Sequence, residues 1–452
     1  MVSQSNPECH AWRCRKIETG DDGEDESMDM METDEGPSRA IAVHPRLADK
    51  RWGEHASASR LHEFEQLVLS CNCELLGSEE IPIRKAVPST LLGSGQAEKI
   101  TDLVEELEID VVFVDHALTP VQQQNLETTW AVKVVDRTGL ILEIFGSRAR
   151  TREGVLQVDL ASLNYQLGRL VRSWTHLERQ RGGHGFLGGP GERQIELDRR
   201  MIRDSIKRLE GELAQVQRMR ATQRIGRKRS EVPTVALVGY TNAGKSTLFN
   251  RLTEGDVYAA DQLFATLDPT LRKLELPGGE SLMLSDTVGF VQDLPHELVN
   301  AFRATLEEVI EADLILHVRD ASDSESPMHK KVVLETLEQL GLDGDHAPPI
   351  VEVLNKVDQA PEVKSRLLDN IDGSRVAVSA LTGLGMEELL LLIRRWQETD
   401  SVMCSVKLHV SDGKMISWCH EYGRVVDQHV SGEYIRFTVV FSEKYAGMLN
   451  IV

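Results

Sequence analysis

The sequence predicts an α/β chain whose largest part is a mostly parallel sheet with helices on both faces. Three observations predict it. Short apolar runs alternate with helical patterns across residues 40 to 150, which is the signature of a small α/β domain. Two stretches between 155 and 216 carry apolar residues stepping by threes and fours, the spacing of helices that pair. A glycine-bracketed loop, Gly239 to Ser246, lies between the apolar run Val235-Ala236-Leu237-Val238 and a helical pattern through Leu248, Phe249 and Leu252.

At 452 residues the chain is long enough for several domains, and a hydrophobic content of 41% is ample for their cores. No apolar run approaches the roughly 20 residues of a membrane span, so no stable membrane insertion is expected. The start carries Glu8 and no apolar core of the secretory kind. Six cysteines are scattered, which suits a reducing cytoplasm. Cys9-His10 with Cys14, and Cys71 with Cys73, do not match a zinc spacing and read as ordinary thiols. The net charge is −21, yet residues 148 to 229 hold 19 Lys and Arg against 9 Asp and Glu. A basic module is therefore set inside an acidic protein.

Residues 1–38 read as an acidic disordered tail, because Glu18 to Glu35 is dense in carboxylates and poor in large apolar residues. Residues 39–150 form the first folded domain. Strands are expected at Ala40–His44, Cys73–Gly77, Asp110–Asp115 and Lys133–Asp136, with helices opening near Gly95, Pro120 and Leu140. Gly93-Ser94-Gly95 has two of the three glycines of a dinucleotide fingerprint and reads better as the start of a helix.

Residues 151–230 form a helical hairpin, a coiled-coil arm. One seam runs through Leu156, Leu160, Leu163, Leu167, Leu170, Trp174 and Leu177, the other through Ile202, Ile206, Leu209, Leu213 and Val216. The first helix, Val155 to Gln180, would be roughly 39 Å long at about 1.5 Å per residue. Its tip, residues 182–191, is Gly-Gly-His-Gly-Phe-Leu-Gly-Gly-Pro-Gly, longer than a hairpin needs. Phe186 and Leu187 have little core to enter there, and Arg179, Arg181, Arg193, Arg199 and Arg200 flank them. Arginines fork onto phosphates and an exposed ring can stack on unpaired bases, so RNA is one partner such a tip fits. A protein partner is the other.

Residues 231–398 carry the chemistry. Gly239-Tyr240-Thr241-Asn242-Ala243-Gly244-Lys245-Ser246 is a phosphate-binding loop: its N–H groups close round α- and β-phosphates, Lys245 reaches the β- and γ-phosphates, and the Ser246 hydroxyl binds Mg²⁺. Asn355-Lys356-Val357-Asp358 follows the run Ile350–Leu354, and Asp358 can accept from N1–H and the N2 amine of guanine. Adenine offers neither proton, so the base is guanine. Ser379-Ala380 closes over that base. Asp286-Thr287-Val288-Gly289 follows Leu282-Met283-Leu284; Asp286 would hold Mg²⁺ through water, and the Gly289 N–H would meet the γ-phosphate. Phe264-Ala265-Thr266-Leu267-Asp268 lies between, with Thr266 able to complete the Mg²⁺ shell. Residues 401–452 read as a small α+β domain without a chemical motif.

Taken together, Asp136-Arg137-Thr138-Gly139-Leu140-Ile141-Leu142, Arg148 to Gly154, Gly189-Pro190-Gly191-Glu192, Gly239 to Ser246 and Phe264 to Asp268 resemble one family, the HflX GTPases of the Obg-HflX-like superfamily in the TRAFAC class. The resemblance covers about residues 40 to 452. One departure is that the family commonly has Arg before Gly-Pro-Gly-Glu and Thr-Gln after it, where this chain has Gly188 and Arg193-Gln194.

The resemblance implies a GTPase that binds the large ribosomal subunit and its rRNA in the GTP state, reaches its arm toward the peptidyl-transferase centre, and separates the subunits of stalled or idle ribosomes. It also brings a link between the N-terminal domain and ATP. DNA is not among its expected partners, and a monomer is expected. In Ras-type enzymes a Gln after Asp-x-x-Gly orients the attacking water. Phe290 stands there and cannot, so the catalytic group is unassigned and hydrolysis by the free protein should be slow, with the ribosome stimulating it. Asn242 resembles the residue that holds K⁺ in some cation-activated GTPases. Two other readings stay open: an assembly GTPase on immature large subunits, and a signalling switch with a protein partner and a peripheral membrane-associated fraction.

Overall fold

The structure is a computed structural model that describes residues 37–47, 54–71, 73–180, 190–229, 232–253, 255, 263–264, 266–267, 269–292, 306–344, 347–360, 362, 374–399 and 401–442. The acidic tail therefore lies outside the described residues, apart from Pro37 and Ser38.

A first sheet is built from Arg39–Leu47 (β1), Glu74–Ile83 (β2), Val111–Val114 (β3) and Lys133–Asp136 (β4), all parallel, in the order β2-β1-β3-β4. Parallel strands are covered on both faces and so read as continuous apolar runs; all four residues of β3 are buried. Helices Ser94–Glu106 (α2) and Pro120–Trp130 (α3) cover one face, where Ile100, Leu126 and Trp130 meet Ile41, Val43, Val112 and Val114. Helices Glu54–Leu69 (α1) and Arg137–Arg148 (α4) cover the other with Phe64, Leu67, Leu140 and Phe145.

Two boundaries differ from the sequence reading, and the Gly93-Ser94-Gly95 turn agrees with it. Strand β2 runs on through Pro82, because it is an edge strand and a missing N–H costs no ladder bond there. Helix α4 starts at Arg137 rather than near 140, because the Asp136 carboxylate accepts the Gly139 N–H at 2.9 Å and caps it. The Gly93 N–H donates to Gln96 Oε1 at 3.0 Å, which makes that glycine pair a helix start.

Arg152–Gln180 (α5) and Pro190–Arg229 (α6) pair as a hairpin of 29 and 40 residues. At about 1.5 Å per residue they are roughly 43 and 60 Å long. Leu156, Ile206 and Leu209 are buried in the seam, with Leu160, Leu163, Leu167, Leu213 and Val216 half-buried around them. Pro190 and Gly191 belong to the helix and not to the tip: proline suits a first helical turn because its fixed φ fits and no N–H is needed. Residues 181–189 lie outside the described residues. The base of the arm is held by Arg169, whose guanidinium lies 2.7 Å from Asp136 and over the Tyr165 ring.

The second sheet has six strands: Thr234–Gly239 (β5), Thr270–Glu275 (β6), Ser281–Asp286 (β7), Leu314–Asp320 (β8), Ile350–Asn355 (β9) and Arg375–Ala377 (β10), ordered β10-β9-β8-β5-β7-β6. Only β6 is antiparallel. Helices Lys245–Thr253 (α7), Ser326–Gln339 (α8) and Met386–Thr399 (α9) pack on it. One hydrophobic cluster runs from Val135 and Phe145 of the first sheet's layer to Val238, Phe264 and Phe290 of the second. Ser401–His409 (β11), Gly413–Tyr422 (α10), Gly423–Ser431 (β12) and Tyr434–Ser442 (β13) make a third, antiparallel sheet with one helix. No helix among the described residues is long and apolar enough to cross a membrane.

Candidate functional site

Strand β5 ends at Gly239, where an added Cβ would fall 2.2 Å from the Val318 carbonyl oxygen, so only glycine lets β5 lie beside β8 there. The loop then turns through Asn242 at φ +57° and Gly244 at φ +87°. A Cβ on Gly244 would also meet Asn355 Nδ2 at 2.3 Å. Lys245 opens α7 and curls back, donating to the carbonyls of Gly239 at 3.1 Å and Tyr240 at 2.9 Å. Burial pulls its pKa down to about 8, with Asp286 opposing that shift.

Three oxygens converge just past this lysine. Ser246 Oγ is 2.8 Å from Thr266 Oγ1 and 2.7 Å from Asp286 Oδ2, and Thr266 Oγ1 is 3.0 Å from the same carboxylate oxygen. The other oxygen, Asp286 Oδ1, is buried and has no hydrogen-bond partner among the described residues. Burial raises the pKa of Asp286, and the Ser246 and Thr266 hydroxyls and Lys245 oppose the rise. A hard oxygen set with a spare buried carboxylate oxygen fits Mg²⁺, which binds through one or two carboxylates and keeps waters. Thr287 fixes the end of β7 by donating to the Leu237 carbonyl at 2.6 Å.

Val288 is buried beside it, and Gly289 comes so close to the phosphate loop that an added Cβ would lie 2.9 Å from Thr241 Cα. Phe290 is bound to that loop by its main chain. Its N–H donates to the Gly239 carbonyl at 3.1 Å, and its carbonyl accepts the Thr241 N–H at 2.8 Å. The ring is 2% exposed and sits in the core, so no side chain there can orient a water.

On the far side of the loop, Asn355 is a brace. Its amide donates to the Ala243 carbonyl at 2.9 Å and accepts the Ala380 N–H at 3.0 Å, tying the phosphate loop to Ser379-Ala380. Lys356, at φ +62°, lies 2.7 Å from Asp320. Val357 is buried and Asp358 is exposed, so the carboxylate expected to read the base stands open at the end of β9. Leu267 is buried; Ala265 and Asp268 lie outside the described residues. So do Arg181, Phe186 and Leu187, and the side chains of Arg179 and Arg193. Arg199 is half-buried and Arg200 exposed on α6.

A buried charge cluster beside the phosphate loop was missed from sequence. Arg137, 4% exposed, donates from Nη1 to Asp115 at 2.6 Å, and from Nη2 to Glu63 at 2.6 Å and the Gln292 carbonyl at 3.0 Å. His44 lies 2.7 Å from Asp115. Glu63 also accepts from the Tyr240 hydroxyl, which takes the Gln292 N–H at 3.0 Å and whose ring stacks on His329 at 3.8 Å. Burial pushes the Asp115 pKa up, but the Arg137 guanidinium and His44 outweigh it and hold the carboxyl well below the usual range. Burial disfavours the Arg137 charge too, and Asp115 and Glu63 more than restore it. The signal lay in polar residues at the ends of parallel strands, where α/β folds gather their functional groups. A cavity of about 260 Å³ lies between α1, this loop and α8. Glu63, Tyr240, Thr241, Asn242 and His329 line it, while Lys245, Ser246 and Asp286 do not, so it is beside the phosphate cradle rather than part of it.

Three families match in succession. Residues 58–146 match the family described as GTP-binding GTPase N-terminal, 148–227 the GTP-binding GTPase Middle Region, and 234–356 the 50S ribosome-binding GTPase. The chain is 48% identical to GTPase HflX of Magnetococcus marinus over 424 residues, which covers 93% of this chain and 96% of that one. It is 46% identical to GTPase HflX of Escherichia coli, over 86% of this chain and 89% of that one. A solved structure, the crystal structure of an SsGBP and GDP complex, is a weaker likeness: 24% identity, a TM-score of 0.46, and coverage of 79% and 98%.

Proposed function

This chain belongs to the HflX family of GTPases and hydrolyses GTP to GDP and phosphate; we propose that hydrolysis times its stay on the large ribosomal subunit, and that its arm separates the subunits of stalled or idle ribosomes. One observation carries the timing. The short stretch 264–266 puts Thr266 on Ser246 and Asp286, where nucleotide-bound Mg²⁺ would sit, and puts Phe264 on Phe145 of α4, the helix that leads into the arm. An element that senses the γ-phosphate through Mg²⁺ can thereby bias the part that docks.

In this reading the N–H groups of Gly239 to Ser246 cradle the phosphates, and Lys245 leaves the Gly239 and Tyr240 carbonyls for the β- and γ-phosphates. Ser246, Thr266 and, through water, Asp286 would hold Mg²⁺, which would neutralise phosphate charge. The Gly289 N–H meets the γ-phosphate. Asp358 reads guanine, with Ser379-Ala380 closing over the base and Asn355 bracing both loops. Phe290 supplies no water-positioning group, so the free protein turns over slowly, and docking on the ribosome completes the site. Asn242, exposed and left-handed, would offer its side chain to K⁺, and equal rates in KCl and NaCl would remove that part. Arg199 and Arg200 lie on the arm that would contact rRNA.

Support for the ribosomal partner is the match of residues 234–356 to the 50S ribosome-binding GTPases and the basic arm. Sucrose-gradient co-sedimentation with large subunits tests it. The reading expects binding with GTP and a non-hydrolysable analogue, and release with GDP; equal occupancy in all states would refute it.

A further inference from the structure

We infer that Arg137 is a positioning residue for GTP hydrolysis: from the start of α4 it holds the Gln292 carbonyl, and through Glu63 the Tyr240 hydroxyl, keeping the loop of Gly289 and Phe290 in register with the phosphate loop. The inference needs the GTPase activity and not the ribosomal partner.

Buried charge is costly unless it is paired, and Arg137 is paired already by Asp115, just past the end of β3. Yet its second nitrogen goes to Glu63 and to a main-chain carbonyl 155 residues away in sequence. That carbonyl belongs to the loop immediately after Gly289. The N–H of the same residue, Gln292, is taken by the Tyr240 hydroxyl at 3.0 Å. Both main-chain polar groups of Gln292 are therefore fixed by side chains, one from the start of α4 and one from the phosphate loop. Two residues earlier, both main-chain groups of Phe290 are fixed by Gly239 and Thr241.

The result is a double clamp on the loop that must present Gly289. Main-chain bonds to β5 hold it from one side, and the Arg137–Glu63–Tyr240 chain holds it from the other. Side chains alone make the second clamp, so it can be cut without touching a phosphate-cradling N–H. A displacement of 1 Å in such a position can change a rate by about 10²-fold. Asp115 and His44 support Arg137 from behind, and neither reaches Gln292 or Tyr240.

The test uses the full chain, free of ribosomes, as wild type, Arg137→Gln and Tyr240→Phe. Single-turnover hydrolysis at saturating GTP, GDP affinity and thermal unfolding are measured for each. The hydrolysis rate should fall by about ten-fold or more in both variants while GDP affinity stays within about two-fold, since a group acting on the reacting geometry lowers the rate and not ground-state binding. If folded variants hydrolyse at the wild-type rate, or if affinity and rate fall together, the inference is overturned. Should Arg137→Gln fail to fold, Tyr240→Phe decides, because it keeps the ring on His329 and removes only the hydroxyl. A wild-type protein with no turnover would overturn the activity itself and this inference with it.

Discussion

Phe264 meets Phe145 edge to face, with ring centroids 4.6 Å apart and planes at 77°. The pair joins the loop that carries Thr266 to the helix that leads into the arm. Edge-to-face pairs contribute roughly 0.5–1.5 kcal/mol beyond the area they bury. Phe145→Leu keeps most of the volume and removes that contribution. The preference for GTP over GDP in large-subunit binding should shrink by about five-fold, the size of a coupling near 1 kcal/mol. Nucleotide affinity off the ribosome should stay put, and co-sedimentation titrated with each nucleotide would read the difference.

Gly289 is a matter of space. A Cβ there would fall 2.8 Å from Thr241 Cγ2, 2.9 Å from Thr241 Cα and 3.1 Å from Lys245 Nζ. Such contacts cannot be relieved by a side chain alone, because one is to backbone. Gly289→Ala should therefore push this loop off the phosphate loop and lower single-turnover hydrolysis by about ten-fold or more, while GDP, which lacks the γ-phosphate, binds within about three-fold of wild type. Stopped-flow phosphate release and a fluorescent GDP titration would show whether the two separate.

What the sequence made legible follows from what local chemistry dictates. The loop Gly239–Ser246 needs its glycines and its lysine at fixed spacing, so the residues announce it. The apolar runs of both parallel sheets, and the part of the arm's seams from Leu156 to Leu167 and from Ile206 to Val216, are set by strand and helical periodicity and are legible for that reason. Asn355 was read as a base-side residue, but its role as a brace depends on Ala243 and Ala380, which only the folded sheet brings to it. Arg137 stood in a motif with no assigned task. Its partners Glu63, Asp115 and Gln292 come from three separate elements, and no spacing encodes such a meeting. The start of α4 was missed for a smaller reason: Asp136 looked like the end of a strand and is also the cap of the next helix.

Asp358 stands exposed at the end of β9, with its neighbour Lys356 engaged by Asp320. A carboxylate accepts twice from guanine. An amide in its place would turn one acceptor into a donor, facing the N2 amine, and would suit the C2 carbonyl of xanthine instead. Asp358→Asn should weaken GTP by on the order of 10²-fold or more and strengthen XTP, because unpaired polar groups in a base site are strongly disfavoured. Competition of XTP against a fluorescent GDP would check both arms, and unchanged GTP affinity would place the base elsewhere.

Lys245 gives the site a pH dependence with a definite sign. Burial holds its pKa at about 8 before phosphate arrives, and contact with phosphate requires the ammonium. Below that pH the amine is charged in the free and bound protein alike, and this group leaves affinity flat. Above it the free protein releases a proton that binding must take back. The GDP dissociation constant should therefore rise with pH, approaching about ten-fold per unit, since each unit is worth about 1.4 kcal/mol of differential protonation. Lys245→Arg would bind more weakly, because a guanidinium does not fit the space of a single nitrogen. It stays protonated throughout, however, and its affinity should lose the slope between pH 8 and roughly 9.5. A wild-type affinity that stays level across that interval would mean that Asp286 already keeps the amine charged in the free protein.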